Sequence, residues 1–182
     1  MDAERYDAKM YAYCADVGQS DDFPAVRDKA LATGANDAFV EDVRELYLTD
    51  YVLPALRANA AYDRQYLLAA PLSRPLISER LVRYARQVGA DAVAHGATGM
   101  GNDQVRFCAS VAALNPRLEV LAPAMTWELR NREEEVAYAE RHAILVDVTK
   151  ARPYSVDVNI RARASSAASS TTSTARRRRA ST

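Results

Sequence analysis

His95-Gly96-Ala97-Thr98-Gly99-Met100-Gly101-Asn102-Asp103-Gln104-Val105-Arg106-Phe107 is the stretch that decides how this chain is read. The whole sequence has six glycines, and three of them fall between positions 96 and 101. Glycine lets a backbone turn tightly and approach a ligand with no side chain in the way. Asn102 and Asp103 follow at once, and either can cap a helix whose free N–H groups then face the glycine turn. Such an end attracts anions. Gln104 and Arg106 add fixed polar groups beside it. Apolar residues on both sides predict a strand, a turn and then a helix. The spacing alone is weak: it has no Gly-Lys-Ser/Thr ending and does not follow the dinucleotide order. An ordinary strand-to-helix turn accounts for it equally well.

Outward from the run, the chain alternates strands and helices. Lys9–Val17 reads as a strand. Asp22 caps a helix, with Pro24 in its first turn and Gly34 at its end. Asp37–Val40 is a short strand. Val43–Asn59 is a helix that Pro54 should kink or divide. Leu76–Val88 is a helix closed by Gly89, with Leu76, Ile77, Leu81, Tyr84, Ala85 and Val88 at helical spacing. Asp91–His95 is a strand, followed by the glycine turn and a helix to about Leu114. Leu118–Leu121 is a strand, Asn131–Arg141 a charged helix, and Ile144–Val148 the last strand. This order predicts an α/β fold, a mostly parallel sheet with helices on both faces. Ligands of such sheets sit at the carboxyl ends of strands, where the glycine turn lies.

Composition narrows the function classes. At 182 residues and 49% apolar content, the chain suits one domain with a real core. Its net charge is zero, yet six of its 24 basic residues lie beyond Ile160. That leaves 18 against 24 acidic ones, a formal −6 for residues 1–160. An acidic body argues against a general nucleic-acid surface. From Ser165 the sequence is a Ser/Thr/Ala stretch ending in the block Arg176–Arg179. Residues 161–182 are therefore expected to form a disordered tail, whose arginines are the one feature suited to tethering nucleic acid or membrane. Cys14 and Cys108 make no disulfide framework and read as reduced thiols of a cytoplasmic protein; neither has a base beside it in sequence. His95 and His142 form no metal motif. No stretch approaches a membrane span, and the polar N-terminus gives no sign of a signal peptide.

The run closely resembles the Gly-Ala-Thr-Gly-Lys-Gly-Asn-Asp-Gln-Val-Arg-Phe signature of argininosuccinate synthases. The resemblance continues in Ala12-Tyr13-Cys14-Ala15-Asp16-Val17-Gly18-Gln19 and in Asp37-Ala38-Phe39-Val40-Glu41-Asp42. It also covers Tyr66-Leu67-Leu68 with Leu72-Ser73-Arg74-Pro75, and Pro153-Tyr154-Ser155-Val156-Asp157-Val158-Asn159. It runs from about Met10 to about Ala164. The family's Ser-Gly-Gly-Leu-Asp-Thr-Ser pyrophosphate loop and its C-terminal synthetase domain are not matched, so a fragment is expected. Residues 1–160 would be a partial nucleotide-binding domain.

What the resemblance implies is specific. The fold would be a Rossmann-like, adenine nucleotide alpha hydrolase-type sheet with its first strand missing. Two strands would then lack a neighbour, and poor solubility or rearrangement is expected. The implied activity is ATP-dependent carbon–nitrogen ligation of citrulline and aspartate in arginine biosynthesis and the urea cycle, with ATP and magnesium as cofactors. In that reaction the citrulline ureido oxygen attacks the α-phosphorus, pyrophosphate leaves, and the aspartate amine displaces AMP. Carried over by position, Ala15, Gly96, Thr98 and Asp103 would lie against ATP. Thr98, Asn102 and Asp103 would hold aspartate, and Tyr66, Arg106 and Ser155 would hold citrulline.

Four departures from the pattern bear on activity. Met100 stands where the family has lysine, Cys108 where it has glutamate, Pro71 where it has serine, and Val158 where it usually has a polar residue. No turnover is expected from this polypeptide alone. The alternatives are a non-catalytic module that retains an aspartate or nucleotide pocket or associates with an intact homologue, and an interaction protein that works through its basic tail.

Overall fold

The computed structural model describes residues 8–63, 66–99, 101–126, 132–142, 144 and 154–167. β1 (Tyr11–Asp16) pairs in parallel with β2 (Asp37–Asp42), in register from Tyr11 opposite Asp37 to Asp16 opposite Asp42. Between them runs α1 (Phe23–Ala32). The Asp22 side chain caps it by accepting from the Ala25 N–H, and Gly34 leaves it with φ +102°. Both signals were legible because a cap and a left-handed exit depend only on neighbouring residues.

Past β2 the chain is helical to Arg57 but not uniformly so. α2 (Arg44–Leu46) passes into a π-helical turn (Tyr47–Val52) and then α3 (Leu53–Arg57). The Leu53 N–H reaches back five residues to the Leu48 carbonyl. Pro54 is the cause, since it has no N–H to continue the ordinary ladder. The expected division of this helix therefore takes the form of one wide turn.

α4 (Ala69–Val88) is the longest element, at 20 residues. It begins seven residues before the Leu76 expected from periodicity and runs straight through Pro75. Pro71 sits in its first turn, where a missing N–H costs nothing. Leu68 precedes it in the left-handed region at φ 60°, a conformation no periodicity could disclose. Gly89, at φ 67°, ends it as expected.

β3 (Ala92–Ala94) pairs in parallel with β4 (Glu119–Leu121), with α5 (Asp103–Leu114) connecting them. α6 (Pro123–Thr126) and α7 (Arg132–Arg141) follow. The strand expected over Ile144–Val148 lies outside the described residues except for Ile144, which is in neither helix nor strand. A hairpin of β5 (Tyr154–Val158) and β6 (Arg163–Ala167) was not expected. β6 and Arg161 fall within the span expected to form the tail. Arg161 donates from Nε to the Leu67 carbonyl at 2.9 Å, and Ile160 N–H donates to the Val17 carbonyl at 2.9 Å. Residues 168–182 lie outside the described set.

The core has two centres that share α4. Ala15, Val17, Val43, Tyr47, Val52 and Leu76 form one; Val82, Ala85, Val93 and Val111 form the other. The amino-terminal half of α4 thus packs on the β1–β2 ladder and its carboxyl-terminal half on β3–β4. Among the described residues no hydrogen bond joins the two ladders.

Candidate functional site

The glycine run leaves the carboxyl end of β3 and enters α5, as the apolar flanks predict. Gly96, Thr98, Gly99, Gly101 and Asn102 are exposed, so the turn is open to solute. Met100 lies outside the described residues. Asn102 occupies the cap position but does not cap through its side chain: its backbone is already helical, at φ −83° and ψ −10°. Its carbonyl accepts the Arg106 N–H at 3.1 Å. The side chains of Thr98 and Asn102 therefore remain at the rim with no hydrogen-bond partner among the described residues.

Asp103 and Arg106 do come together, and with a third residue. Arg106 Nη1 donates to Asp103 Oδ1 at 2.6 Å, an i, i+3 pair within the first turn of α5. Arg74, on α4, donates to Asp103 Oδ2 from Nε at 2.9 Å and from Nη2 at 2.8 Å. One carboxylate therefore holds two guanidinium groups, all three side chains being 16–27% exposed. Charge-assisted, forked contacts of this kind fix orientation as well as adding energy. Arg74 also donates to the fully buried Ser73 Oγ at 3.3 Å. Ser73 lies in a motif that the family resemblance quotes, but its neighbour Arg74 had no assigned role.

Arg74 connects this pair of arginines to a second polar group around Tyr47. Tyr47 is fully buried, and its hydroxyl donates to the Ala69 carbonyl at 3.1 Å. Burial pushes its phenol up to about 12, while the Arg161 and Arg74 guanidinium groups and a Ser73 hydrogen bond pull the other way. Tyr66 is close enough to raise it further. Tyr66 is tied to Tyr62 by a reciprocal pair of backbone hydrogen bonds, of 2.9 and 3.0 Å. Asn159, 7% exposed, donates from Nδ2 to the same Ala69 carbonyl at 3.2 Å. Arg161 adds a bond from Nη2 to the Ala60 carbonyl at 3.3 Å.

The other expected residues are placed as follows. Ala15 is buried near the carboxyl end of β1, its carbonyl accepting from Gln19 Nε2 at 2.8 Å. Ser155 lies in β5 opposite Ser166, and its side chain is outside the description. Tyr47, Arg74, Asn159 and Arg161 were missed or unassigned. Only Arg74 and Asn159 carried any signal, as members of the quoted motifs. A cleft of about 390 Å³ at the end of β2, lined by Glu41, Asp42, Glu45 and Arg80 among others, shares no residue with this site.

Comparison with known proteins then supplies the family. The sequence matches the family described as "Arginosuccinate synthase N-terminal HUP domain" over residues 2–145. It is 60% identical over 157 residues to an argininosuccinate synthase of Rhodococcoides fascians, covering 86% of this chain and 40% of that protein. It is 54% identical over 152 residues to that of Aquifex aeolicus, covering 84% of this chain and 38% of the relative. Against that of Symbiobacterium thermophilum it is 52% identical over 162 residues, with 88% and 40% covered. The chain thus spans about two-fifths of the length of the curated relatives it matches. With an α/β fold, parallel ladders and an open glycine turn feeding α5, the chain belongs to the argininosuccinate synthase family, as its N-terminal HUP domain.

Proposed function

We propose that this chain carries the amino-acid- and nucleotide-recognition part of ATP-dependent ligation of citrulline to aspartate. The observation that carries the reading is Asp103 holding Arg74 and Arg106 together beside the open glycine turn. A carboxylate that fixes both guanidinium groups sets the direction in which Arg106 presents its donors. Planar oxygen pairs, such as an amino-acid carboxylate, match that geometry. Thr98 and Asn102, exposed at the rim with unengaged side chains, supply further donors for aspartate. Tyr66, within electrostatic reach of Tyr47, and Ser155, on β5, are the residues assigned to citrulline in this reading.

Nucleotide binding rests on topology. Ala15 is near the carboxyl end of β1 and Gly96 just past that of β3, where α/β sheets receive ligands. ATP supplies the adenylyl group that turns a poor ureido leaving oxygen into a good one. The residues of this chain bind and orient; proximity contributes the rest. Magnesium enters as the ion that accompanies a triphosphate. Among the described residues no group of three carboxylate, imidazole or thiol side chains could hold it, so no ligand role is assigned here.

The same residues argue that the 182-residue polypeptide binds without turning over. Met100 brings no charge to the anionic ligands, and Pro71 offers neither hydroxyl nor N–H. Calorimetry of the full chain with aspartate and with ATP tests the reading: heat is expected with each, reduced by Arg106→Leu. No heat with either ligand would remove it. Argininosuccinate formed from ATP, citrulline and aspartate would overturn the claim of binding alone.

A further inference from the structure

Gln19, just past β1, folds back on the strand it follows. Its Oε1 accepts the Val17 N–H at 2.8 Å, and its Nε2 donates to the Ala15 carbonyl at 2.8 Å. Both backbone groups face the far edge of β1, which has no strand partner among the described residues. One planar carboxamide therefore closes a neighbouring acceptor and donor at the carboxyl end of the strand. Further contacts hold that end still. Asp16, 8% exposed, accepts the Gly18 N–H at 2.8 Å through Oδ1 and meets Arg44 Nε at 3.3 Å through Oδ2. The Val17 carbonyl takes the Ile160 N–H at 2.9 Å. Gly18, at φ +93°, brings the backbone against Ile160, whose side chain is 41% exposed.

An adenine ring presents the same pair of groups on its Watson–Crick edge: the N6 amino group donates, and N1 beside it accepts. The two nitrogens are joined through one carbon, as the nitrogen and oxygen of a carboxamide are. What Gln19 offers to Ala15 and Val17, adenine therefore offers too. In hypoxanthine the order is reversed, since O6 accepts and N1–H donates. We propose that the Gln19 carboxamide is a built-in competitor for the base of ATP, closing the base subsite in the free chain and swinging out when the nucleotide enters.

The inference rests on the reading that Ala15 lies against ATP, and adds which side chain holds that position first and which edge of the base replaces it. Gln19 is half-buried and Ser20, next to it, is exposed, so the amide can leave toward solvent without disturbing β1. Two neutral hydrogen bonds are exchanged for two of the same kind, so the order of donor and acceptor selects the base. A ligand that must displace a side chain binds with its affinity reduced by the fraction of molecules in which that side chain is away.

The test is calorimetry of the whole chain with ATP and with inosine triphosphate, on the unmodified protein, Gln19→Ala and Gln19→Met. Each variant should bind ATP about tenfold more tightly than the unmodified chain. Gln19→Met keeps the length and bulk of the side chain and loses the amide, so it separates the competing hydrogen bonds from the space they fill. Inosine triphosphate should bind about tenfold more weakly than ATP to all three proteins, or weaker still. The comparison of the two nucleotides on the unmodified chain stands even if a variant folds poorly. Equal ATP affinity across the three proteins, or inosine triphosphate binding as tightly as ATP, would overturn the inference and leave ATP binding itself intact. No ATP binding to any of the three would remove the nucleotide reading and the inference with it.

Discussion

Asp103 has the most exacting position of any residue in the site, because two guanidinium groups depend on it. Removing it leaves Arg74 and Arg106 facing each other. We expect Asp103→Ala to cost about 1.5–3 kcal/mol, measured by urea denaturation, the range for hydrogen bonds to charged groups. Asp103→Asn should cost less and still abolish aspartate heat in calorimetry. Gly18 is the second exacting residue. Its φ is +93°, and a Cβ there would lie 2.5 Å from Ile160 Cγ1 and 3.1 Å from the Ile160 nitrogen. Gly18→Ala should therefore destabilise by more than about 1 kcal/mol, because both the conformation and the space oppose it. Adding Ile160→Ala should return only part of that loss, since the backbone strain remains.

The Tyr13–Glu41–Arg80 group sets the pH limits. Tyr13 Oη donates to Glu41 Oε2 at 2.7 Å, and Arg80 Nε reaches the same oxygen at 3.2 Å. The Arg80 guanidinium, followed by the Tyr13 hydroxyl, holds the Glu41 carboxyl below its ordinary value of 4.5. That stabilisation is complete above the ordinary value and is lost as pH falls through the lower folded one. Burial, reinforced by Glu41, pushes the Tyr13 phenol above its ordinary 10.0. Burial likewise takes Tyr47 and Tyr51 to about 12. Their contribution is present below pH 10.0 and lost as pH rises through the folded values. Thermal midpoints should form a plateau that falls on both sides. Tyr13→Phe should shrink the alkaline limb.

At the scale of elements, α4 organises everything else. Its amino-terminal half packs Leu76, fully buried, into the first core centre. Its carboxyl-terminal half packs Val82 and Ala85 into the second. It also carries Arg74 toward Asp103 and Arg80 toward Glu41. Leu76→Ala should cost about 2–5 kcal/mol in denaturant unfolding, the range for a large side chain removed from a closed core. A loss under about 1 kcal/mol would mean that the first centre does not need it. The carboxyl-terminal half of this helix was legible from apolar spacing. Its first two turns were not, because they hold Pro71 and Pro75, residues that ordinarily interrupt a helix. Pro71 falls where no N–H is needed, and packing on β1 and the π turn holds the helix through Pro75.

At the scale of the whole molecule, two short parallel ladders are held by one helix rather than by each other. The far edge of β1 is partly occupied at its end, where Gln19 takes the Ala15 carbonyl and Ile160 the Val17 carbonyl. Among the described residues, the rest of that edge and the outer edge of β3 have no strand partner, which leaves backbone groups suited to pairing with another chain. We expect the 182-residue chain to associate or aggregate as concentration rises, followed by light scattering. A sharp, reversible, concentration-independent unfolding transition of a monomer would contradict this. Local order determined what the sequence could disclose by itself: the glycine run and its helix, the Asp22 cap, the Gly34 and Gly89 exits, and the alternation that makes an α/β fold. Each depends on residues within a few positions of one another. The tertiary structure alone decided that Arg74 meets Asp103 across 29 positions, that Asn159 reaches Ala69 across 90, and that Arg161 reaches Leu67 across 94. Such partners have no period and no fixed spacing; they are chosen by which surfaces α4 brings together when it buries its apolar side.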